Sequence, residues 1–282
     1  MVATSAGSRG LAERVLDAPK GRIRYLHGGE GPALVLCHGF LGSAENFSAW
    51  FESLLPIRTL VVPDLPGCGD SPPMGGEHTS AALAAAIEPL LGALDLDGDA
   101  AFDLGGLCLG GGVACALMAL RPARVRRLFI HTPLLAPALV RRRFHAQIAV
   151  MTAPGVYPAI TWLSRRRVVS DLYKRLLVEG DDVDTAAAEV NFRNQLRADP
   201  RATREWLRDG LRRNDADLVL RRAHPTLLIA AEGDRICDVA GLRELAAVHP
   251  DVELAVDRGG HGWNEASIAW QTDVLRRFLA GS

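Results

Sequence analysis

Three glycine-framed positions place a thiol, a carboxylate and an imidazole where acyl-transfer chemistry could use them. The thiol is Cys108, at the centre of Gly106-Leu107-Cys108-Leu109-Gly110. G-x-C-x-G is the spacing of a nucleophile elbow, with cysteine in the usual place of serine. Such an elbow turns a strand sharply into a helix and lifts one side chain above the sheet edge. Glycines flank it because a Cβ there would strike neighbouring backbone. A thiol held this way lies at a helix N-terminus, where the dipole favours the thiolate. Taken alone, the pattern also describes a buried packing cysteine. The imidazole is His261, in Gly259-Gly260-His261-Gly262, just past the apolar run Val252 to Val256. The carboxylate is Asp234, which follows the run Thr226 to Ala230 and could accept a hydrogen bond from His261 and set its tautomer. Asp238 is a rival for that place, and Glu232 reads as structural.

Cysteine in place of serine changes the expected chemistry. A thiolate is a stronger nucleophile near neutral pH and a better leaving group than an alkoxide. The adduct with an ordinary ester therefore tends to expel the thiolate again. Thioesters, enol esters and lactones suit such a site better.

The elements that must position these groups alternate in type. Gly21 to His27 reads as an antiparallel strand, with Ile23, Tyr25 and His27 set against Arg22, Arg24 and Leu26. Ala33 to Cys37, Thr59 to Val62, Ala100 to Gly105, Val125 to Ile130, Thr226 to Ala230 and Val252 to Val256 are apolar runs of strand length. Helices are expected at Ser80 to Leu94 and Leu109 to Leu120, the latter carrying Gly110, Gly111 and Gly112 for close packing on the sheet. Residues 1–20 read as a loosely ordered lead-in. Alternation of strand and helix implies an α/β protein with a mostly parallel sheet covered on both faces.

Leu34-Val35-Leu36-Cys37-His38-Gly39-Phe40 is an apolar strand ending in His-Gly, and Asp64-Leu65-Pro66-Gly67-Cys68-Gly69-Asp70-Ser71 has the form D-x-x-G-x-G-x-S. With these segments, and with nucleophile, acid and histidine in that chain order, the sequence resembles the α/β-hydrolase fold family over residues 20–132 and 223–280. The box Gly106 to Gly111 is similar to the G-x-C-x-G-G box of dienelactone hydrolases and polyhydroxyalkanoate synthases. The rest resembles the capped esterase, C–C hydrolase and thioesterase branch. The resemblance implies a Cys108–His261–Asp234 triad, with backbone N–H groups of Phe40 and Leu109 as oxyanion donors. His38 then belongs to the His-Gly turn, while Asp64, Gly67, Gly69 and Ser71 shape a loop beside the site.

The same resemblance implies a core of residues 1–132 and 223–282 and a helical lid at 133–222. In that span strand signals vanish and amphipathic patterns appear, as in Ile160 to Leu177 and Asp184 to Leu196. It carries 17 Lys and Arg against 11 Asp and Glu, with triplets at Arg141 to Arg143 and Arg165 to Arg167. These charges are either solvated helix faces or a means of capturing a carboxylate, an enolate, a CoA phosphate or an acidic carrier protein. Arg165, Arg166, Arg167 and Trp263 are candidate substrate contacts. Tyr157, Trp162, Phe192 and Trp206 are expected to form the lid's own core, with one or two facing the pocket.

Composition narrows the classes further. The chain has 282 residues, 48% hydrophobic and 23% charged, with a net charge of −1, so nothing global suggests nucleic acid. Apolar runs are too short for a transmembrane helix, and Met1 to Gly10 lacks a secretory h-region. Five irregularly spaced cysteines argue against a disulfide framework, so the cytoplasm is the expected compartment. Neither C-x-x-C nor H-E-x-x-H occurs, so no metal and no cofactor is expected. The leading expectation is an enzyme forming an S-acyl intermediate on a small-molecule substrate, anionic or carrier-bound, plausibly in secondary metabolism. Alternatives are a lyase eliminating a carboxylate such as acetate from an acyl tetronate, and a non-catalytic ligand-binding protein.

Overall fold

The computed structural model describes residues 10–94, 96, 101–176, 185–221, 224–262 and 265–281. Eight strands form one sheet: β1 (Ala12–Ala18), β2 (Gly21–Gly29), β3 (Ala33–Cys37), β4 (Thr59–Pro63), β5 (Phe102–Leu107), β6 (Val125–His131), β7 (Thr226–Ala231) and β8 (Val252–Asp257). Their spatial order is β1-β2-β4-β3-β5-β6-β7-β8. β2 runs antiparallel to both neighbours, while β3 to β8 are mutually parallel. Every residue of β3, β5 and β7 is buried, which is why these segments read as unbroken apolar runs.

Helices cover both faces. α1 (Ser48–Leu54) and the last helix, Glu265–Ala280, close one side over a cluster that includes Phe47, Trp50, Phe129 and Leu275. α2 (Ser80–Ile87), α3 (Pro89–Ala93) and α4 (Gly110–Leu120) pack on the other side, with Val239 and Leu242 of the helix Val239–Ala247. α4 approaches the sheet closely. A Cβ on Gly110 would lie 2.2 Å from the Cys37 carbonyl oxygen, and one on Gly106 would lie 2.5 Å from Gly111 backbone. Those two glycines let the helix start directly behind β5.

Three local expectations change. Residues 12–18 are a strand rather than lead-in; β1 pairs only with β2 and is mostly exposed, so its apolar pattern is weak. The helix expected at Ser80 to Leu94 breaks at Glu88, because Pro89 cannot continue it and instead begins α3. The alternation expected in β2 fails at Arg24, which is buried alongside Ile23, Tyr25 and Leu26.

Between β6 and β7 the described chain forms six α-helices: α5 (Arg142–Met151), α6 (Val156–Ser164), α7 (Arg167–Lys174), α8 (Thr185–Arg197), α9 (Pro200–Gly210) and α10 (Ala216–Arg221). The continuous helix expected at Ile160 to Leu177 is divided, with α6 ending at Ser164 and α7 beginning at Arg167. α9 starts cleanly, with the Asp199 carboxylate accepting from the Ala202 amide and Pro200 at its first position. Trp206 on α9 is fully buried and donates to Ser80 Oγ at 3.2 Å. The Ser80 amide donates to Asp209 at 2.8 Å, and the Asp199 amide donates to the Gly67 carbonyl at 2.8 Å. The helical segment is thus tied onto the chain that follows β4, and Asn191 and Asn194 of α8 tie it through Asn46 to the loop after β3.

Candidate active site

Cys108 occupies the turn between β5 and α4 with φ of +51°, a left-handed conformation that is costly for a residue bearing a Cβ. The turn is fixed by its own backbone. The Cys108 amide donates to the His131 carbonyl at 2.9 Å, and its carbonyl accepts from Gly111 at 3.0 Å. Gly39 lies alongside, so close that a Cβ there would sit 3.3 Å from Cys108 Cβ. Cys108 is partly exposed and unpaired, while Cys37, Cys68, Cys115 and Cys237 are free and buried. Burial pushes the Cys37 thiol up to about 12 and the other three buried thiols higher still.

Asp234 and His261 come from the loops that follow β7 and β8. The Gly233 amide donates to the Gly259 carbonyl at 2.9 Å, which locks the two loops together. His261 Nδ1 donates to Asp234 Oδ2 at 2.9 Å. The other carboxylate oxygen, Oδ1, accepts from the amides of Ile236 at 2.7 Å and Cys237 at 2.8 Å. Burial opposes the charge on Asp234, but His261 and these amides outweigh it and hold the carboxyl at about 2. Cys108 stands beside His261, and both border the same cavity. Burial again opposes charge, yet Asp234 and Cys108 together raise the imidazole well above its ordinary value. Thiol, imidazole and carboxylate thus come together at one place.

The neighbouring residues divide clearly. Asp238 precedes the helix Val239–Ala247 and lines a separate surface hollow with Arg141, Arg142 and Arg143. Glu232 is an exposed partner of Arg243. His38 is fully buried and held down to about 4 by that burial; Nδ1 donates to the Gly39 carbonyl and Nε2 accepts from the Leu65 amide, each at 2.9 Å. Asp64 lies deep below the loop and accepts from the amides of Ala44 at 2.7 Å and Asp70 at 2.8 Å. Burial pushes its carboxyl up to about 6, against the pull of the buried Arg24 guanidinium 3.3 Å away. The Arg24 amide donates to Ser71 Oγ at 2.9 Å. Together these bonds pin the 3-10 turn Ala44–Phe47, which continues the Phe40 loop.

A cavity of about 370 Å³ opens onto Cys108 and His261. Phe40 and Leu109 are in its wall, and neither backbone amide has a protein acceptor among the described residues. The wall is largely apolar, supplied by the core through Leu107 and Ile236 and by the segment between β6 and β7 through Leu134, Phe144, Ile148, Ile160 and Leu207. Tyr157 reaches it too, with its hydroxyl 2.9 Å from Thr203 Oγ1. Arg165, Arg166 and Arg167 are outside that wall. The Arg166 guanidinium stacks 4.1 Å from the ring centroid of Trp162, and Arg167 pairs with Asp171 and Glu189 while lying over Phe192. Trp162 is 61% exposed, against the expectation that it forms lid core. Trp263 lies outside the described residues.

Three residues that the motifs did not single out bear on the site. Arg24 is one, through its pairing with Asp64 below the loop. His131, at the end of β6, borders the cavity and is held down to about 4 by burial. Cys237 is the third: Sγ of Cys237, a ring nitrogen of His261 and a carboxylate oxygen of Asp234 all lie within 4.8 Å of one another. The spacing Asp234-x-x-Cys237 was its only signal in the sequence. This trio could ligate a metal ion. No described helix is long and apolar enough to cross a membrane.

The comparisons with known proteins agree with this architecture. Pimeloyl-[acyl-carrier protein] methyl ester esterase of Xanthomonas campestris pv. campestris (strain B100) is 29% identical over 272 residues, covering 89% of this chain and 96% of that protein. Polyketide synthase ThaQ of Burkholderia thailandensis is 27% identical over 290 residues, covering 96% of this chain and 13% of that much longer protein. The crystal structure of E-2-(Acetamidomethylene)succinate Hydrolase superposes with a TM-score of 0.76 at 19% identity, covering 96% of this chain and all of that one, a likeness of fold. A model of the alpha/beta hydrolase fold matches residues 32–265, and with the sheet order above it makes this chain an enzyme of the α/β hydrolase family.

Proposed function

We propose that this enzyme transfers or hydrolyses an activated acyl group through an S-acyl intermediate on Cys108. The observation that carries the reading is the His261–Asp234 hydrogen bond, with His261 and the Cys108 thiol meeting at one apolar cavity. His261 Nε2 takes the thiol proton while Asp234 holds Nδ1–H and stabilises the imidazolium. The thiolate attacks the acyl carbon, and the oxyanion meets the two free amides of Phe40 and Leu109. Collapse expels the alcohol or thiol, which takes the proton from His261. Water or an acceptor alcohol, deprotonated by the same ring, then releases the acyl group from sulfur.

The cavity volume and its apolar wall favour an acyl chain or ring system over a small polar ester. The relatives named for an acyl-carrier-protein ester and for polyketide synthesis support a carrier-bound acyl substrate of secondary metabolism. We read residues 1–132 and 223–282 as the catalytic core and 133–222 as a lid whose helices set selectivity. Five free thiols suit a reducing compartment such as the cytoplasm.

Intact-mass analysis after rapid mixing with acyl thioesters of graded chain length tests this reading. A mass increase equal to the acyl group, mapped to Cys108 and absent in Cys108→Ala, is the expected result. Turnover with no such adduct at any time, yielding an alkene in place of an alcohol or a new ester, would replace it with carboxylate elimination by His261 alone.

A further inference from the structure

Cys237 has no part in the acyl-transfer steps, yet its side chain faces the acid–base pair. Its amide is bound to Asp234 Oδ1, and its thiol donates to the Pro133 carbonyl at 3.4 Å. Cys237 is fully buried, and Asp234 is 1% exposed, so neither group is a stray surface ligand. One sulfur, one imidazole nitrogen and one carboxylate oxygen lie within 4.8 Å of each other. Tetrahedral Zn²⁺ holds its ligands at about 2.0 to 2.3 Å, so such donors need only small side-chain rotations to close on one ion. The set is mixed soft and borderline, which selects Zn²⁺ and related ions over Mg²⁺ or Ca²⁺. His261 and Ile236 border the cavity, which gives an ion a route from solvent.

We propose that Asp234, Cys237 and His261 form an inhibitory site for a thiophilic divalent cation of the Zn²⁺ class. The ion takes the Nδ1 lone pair, the proton that Nδ1 shared with Asp234 moves through solvent to Nε2, and the Cys237 thiol releases its proton to solvent on binding. A carboxylate oxygen of Asp234 is the third ligand, and water or the Pro133 carbonyl completes four. With Nδ1 metallated, Nε2 carries the ring's remaining proton and can no longer accept one from Cys108. Occupancy therefore removes the base without touching the thiol. Metal binding stands apart from the acyl-transfer reading; only its inhibitory consequence rests on it.

Anaerobic titration with Co²⁺, followed by displacement with Zn²⁺, tests the site without any substrate. The expected result is one ion per chain with a thiolate-to-cobalt charge-transfer band, retained in Cys108→Ala and lost in Cys237→Ala. Zn²⁺ should also bind Cys237→Ala at least about tenfold more weakly, and inhibit it correspondingly less. A band that survives in Cys237→Ala, or vanishes in Cys108→Ala, places the metal on the wrong thiol and overturns the proposal. No band up to millimolar Co²⁺ overturns it as well. Should Cys237→Ala fail to fold, X-ray absorption of Zn²⁺-loaded Cys108→Ala decides: one sulfur neighbour at about 2.3 Å supports the site, and only nitrogen and oxygen neighbours refute it.

Discussion

The parallel half of the sheet and the helical segment between β6 and β7 are held together by different means. At the ends of β5, β7 and β8, backbone bonds fix each site residue: Cys108 to His131, Asp234 to Ala231, and Gly233 to Gly259. Of the strands beneath them, β5 and β7 are wholly buried and β8 is partly so. The helical segment instead leaves Trp162, Val168 and Leu172 in solvent and ties much of its surface with exposed ion pairs such as Arg167–Asp171. A reacting pair must be held to fractions of an ångström, which dense burial provides. A wall that only selects a substrate by shape tolerates looser packing. On the proposed reading, one region carries the chemistry and the other the selectivity.

The most severe way to break that assignment is to remove the thiol. Cys108→Ala should lower kcat/KM by about 10⁴-fold or more while far-UV circular dichroism stays unchanged. Retention of more than a few per cent of wild-type kcat on the true substrate would detach the chemistry from the elbow. Brief iodoacetamide treatment sharpens the point. Cys108 should be alkylated first, since the other four thiols are buried and shifted upward.

Asp234→Asn comes next, with an expected loss in kcat of about 10² to 10⁴-fold, while Asp238→Asn should stay within about twofold. A stability signature accompanies it. Asp234 is held at about 2 against 3.8 for the free group, so its contribution of about 2 kcal/mol is complete above pH 4 and is lost as pH falls toward 2. His261 is shifted the other way, so its contribution is complete below its ordinary value of 6.5 and is lost as pH rises through the folded value. The stability gap between wild type and Asp234→Asn should therefore be widest between those limits. Urea midpoints measured at several pH values check this, and a flat gap would mean that the pair is not ionised.

Motif spacing brought the candidate residues into view because the elbow and the post-strand loops are local in sequence. Cys108, Asp234 and His261 each sit within a few residues of a strand end, so their neighbours announce them. Arg24 does not announce itself. In a hairpin strand it reads as a solvent-facing alternate, and its burial follows from pairing with Glu13, Glu45 and, 40 residues away, Asp64. Cys237 needed the meeting of two loops before its thiol could be seen beside His261. Counting arginines gave the charge of the helical segment but could not say which face each side chain takes. Arg166 in fact covers Trp162, and the cavity wall is built without the triplet.

The two regions should also respond unequally when ion pairs are cut. Asp64→Asn takes the buried carboxylate from Arg24, which keeps Glu13 and Glu45, and puts an NH2 in place of one of the two oxygens that accept from the Ala44 and Asp70 amides. A loss of about 1 to 3 kcal/mol is expected, read from urea denaturation. Arg167→Gln removes exposed pairs with Asp171 and Glu189 and should cost less than about 1 kcal/mol. Equal losses would erase the distinction between a rigid core and a loosely tied lid.

The smallest effect concerns the surplus of six positive charges in residues 133–222. Arg165 and Arg166 are exposed and lie off the cavity wall, so they can act on an anionic substrate or acidic carrier only from a distance. Raising salt from roughly 0.05 to 0.5 M shortens the Debye length from about 14 to about 4 Å. Steering precedes chemistry, so kcat/KM should fall several-fold while kcat barely changes. Arg165→Gln with Arg166→Gln should reproduce part of that loss and flatten the salt dependence. Arg167 contributes less because Asp171 and Glu189 already neutralise it. Arg142 and Arg143 face the hollow beside Asp238 and form a second, separable patch. A neutral ester of the same acyl group should show no salt dependence in any variant, because screening has no substrate charge to act on. If the neutral ester responds as strongly as the charged substrate, salt is altering the fit of the lid, and the arginines are solvated helix faces with no part in capture.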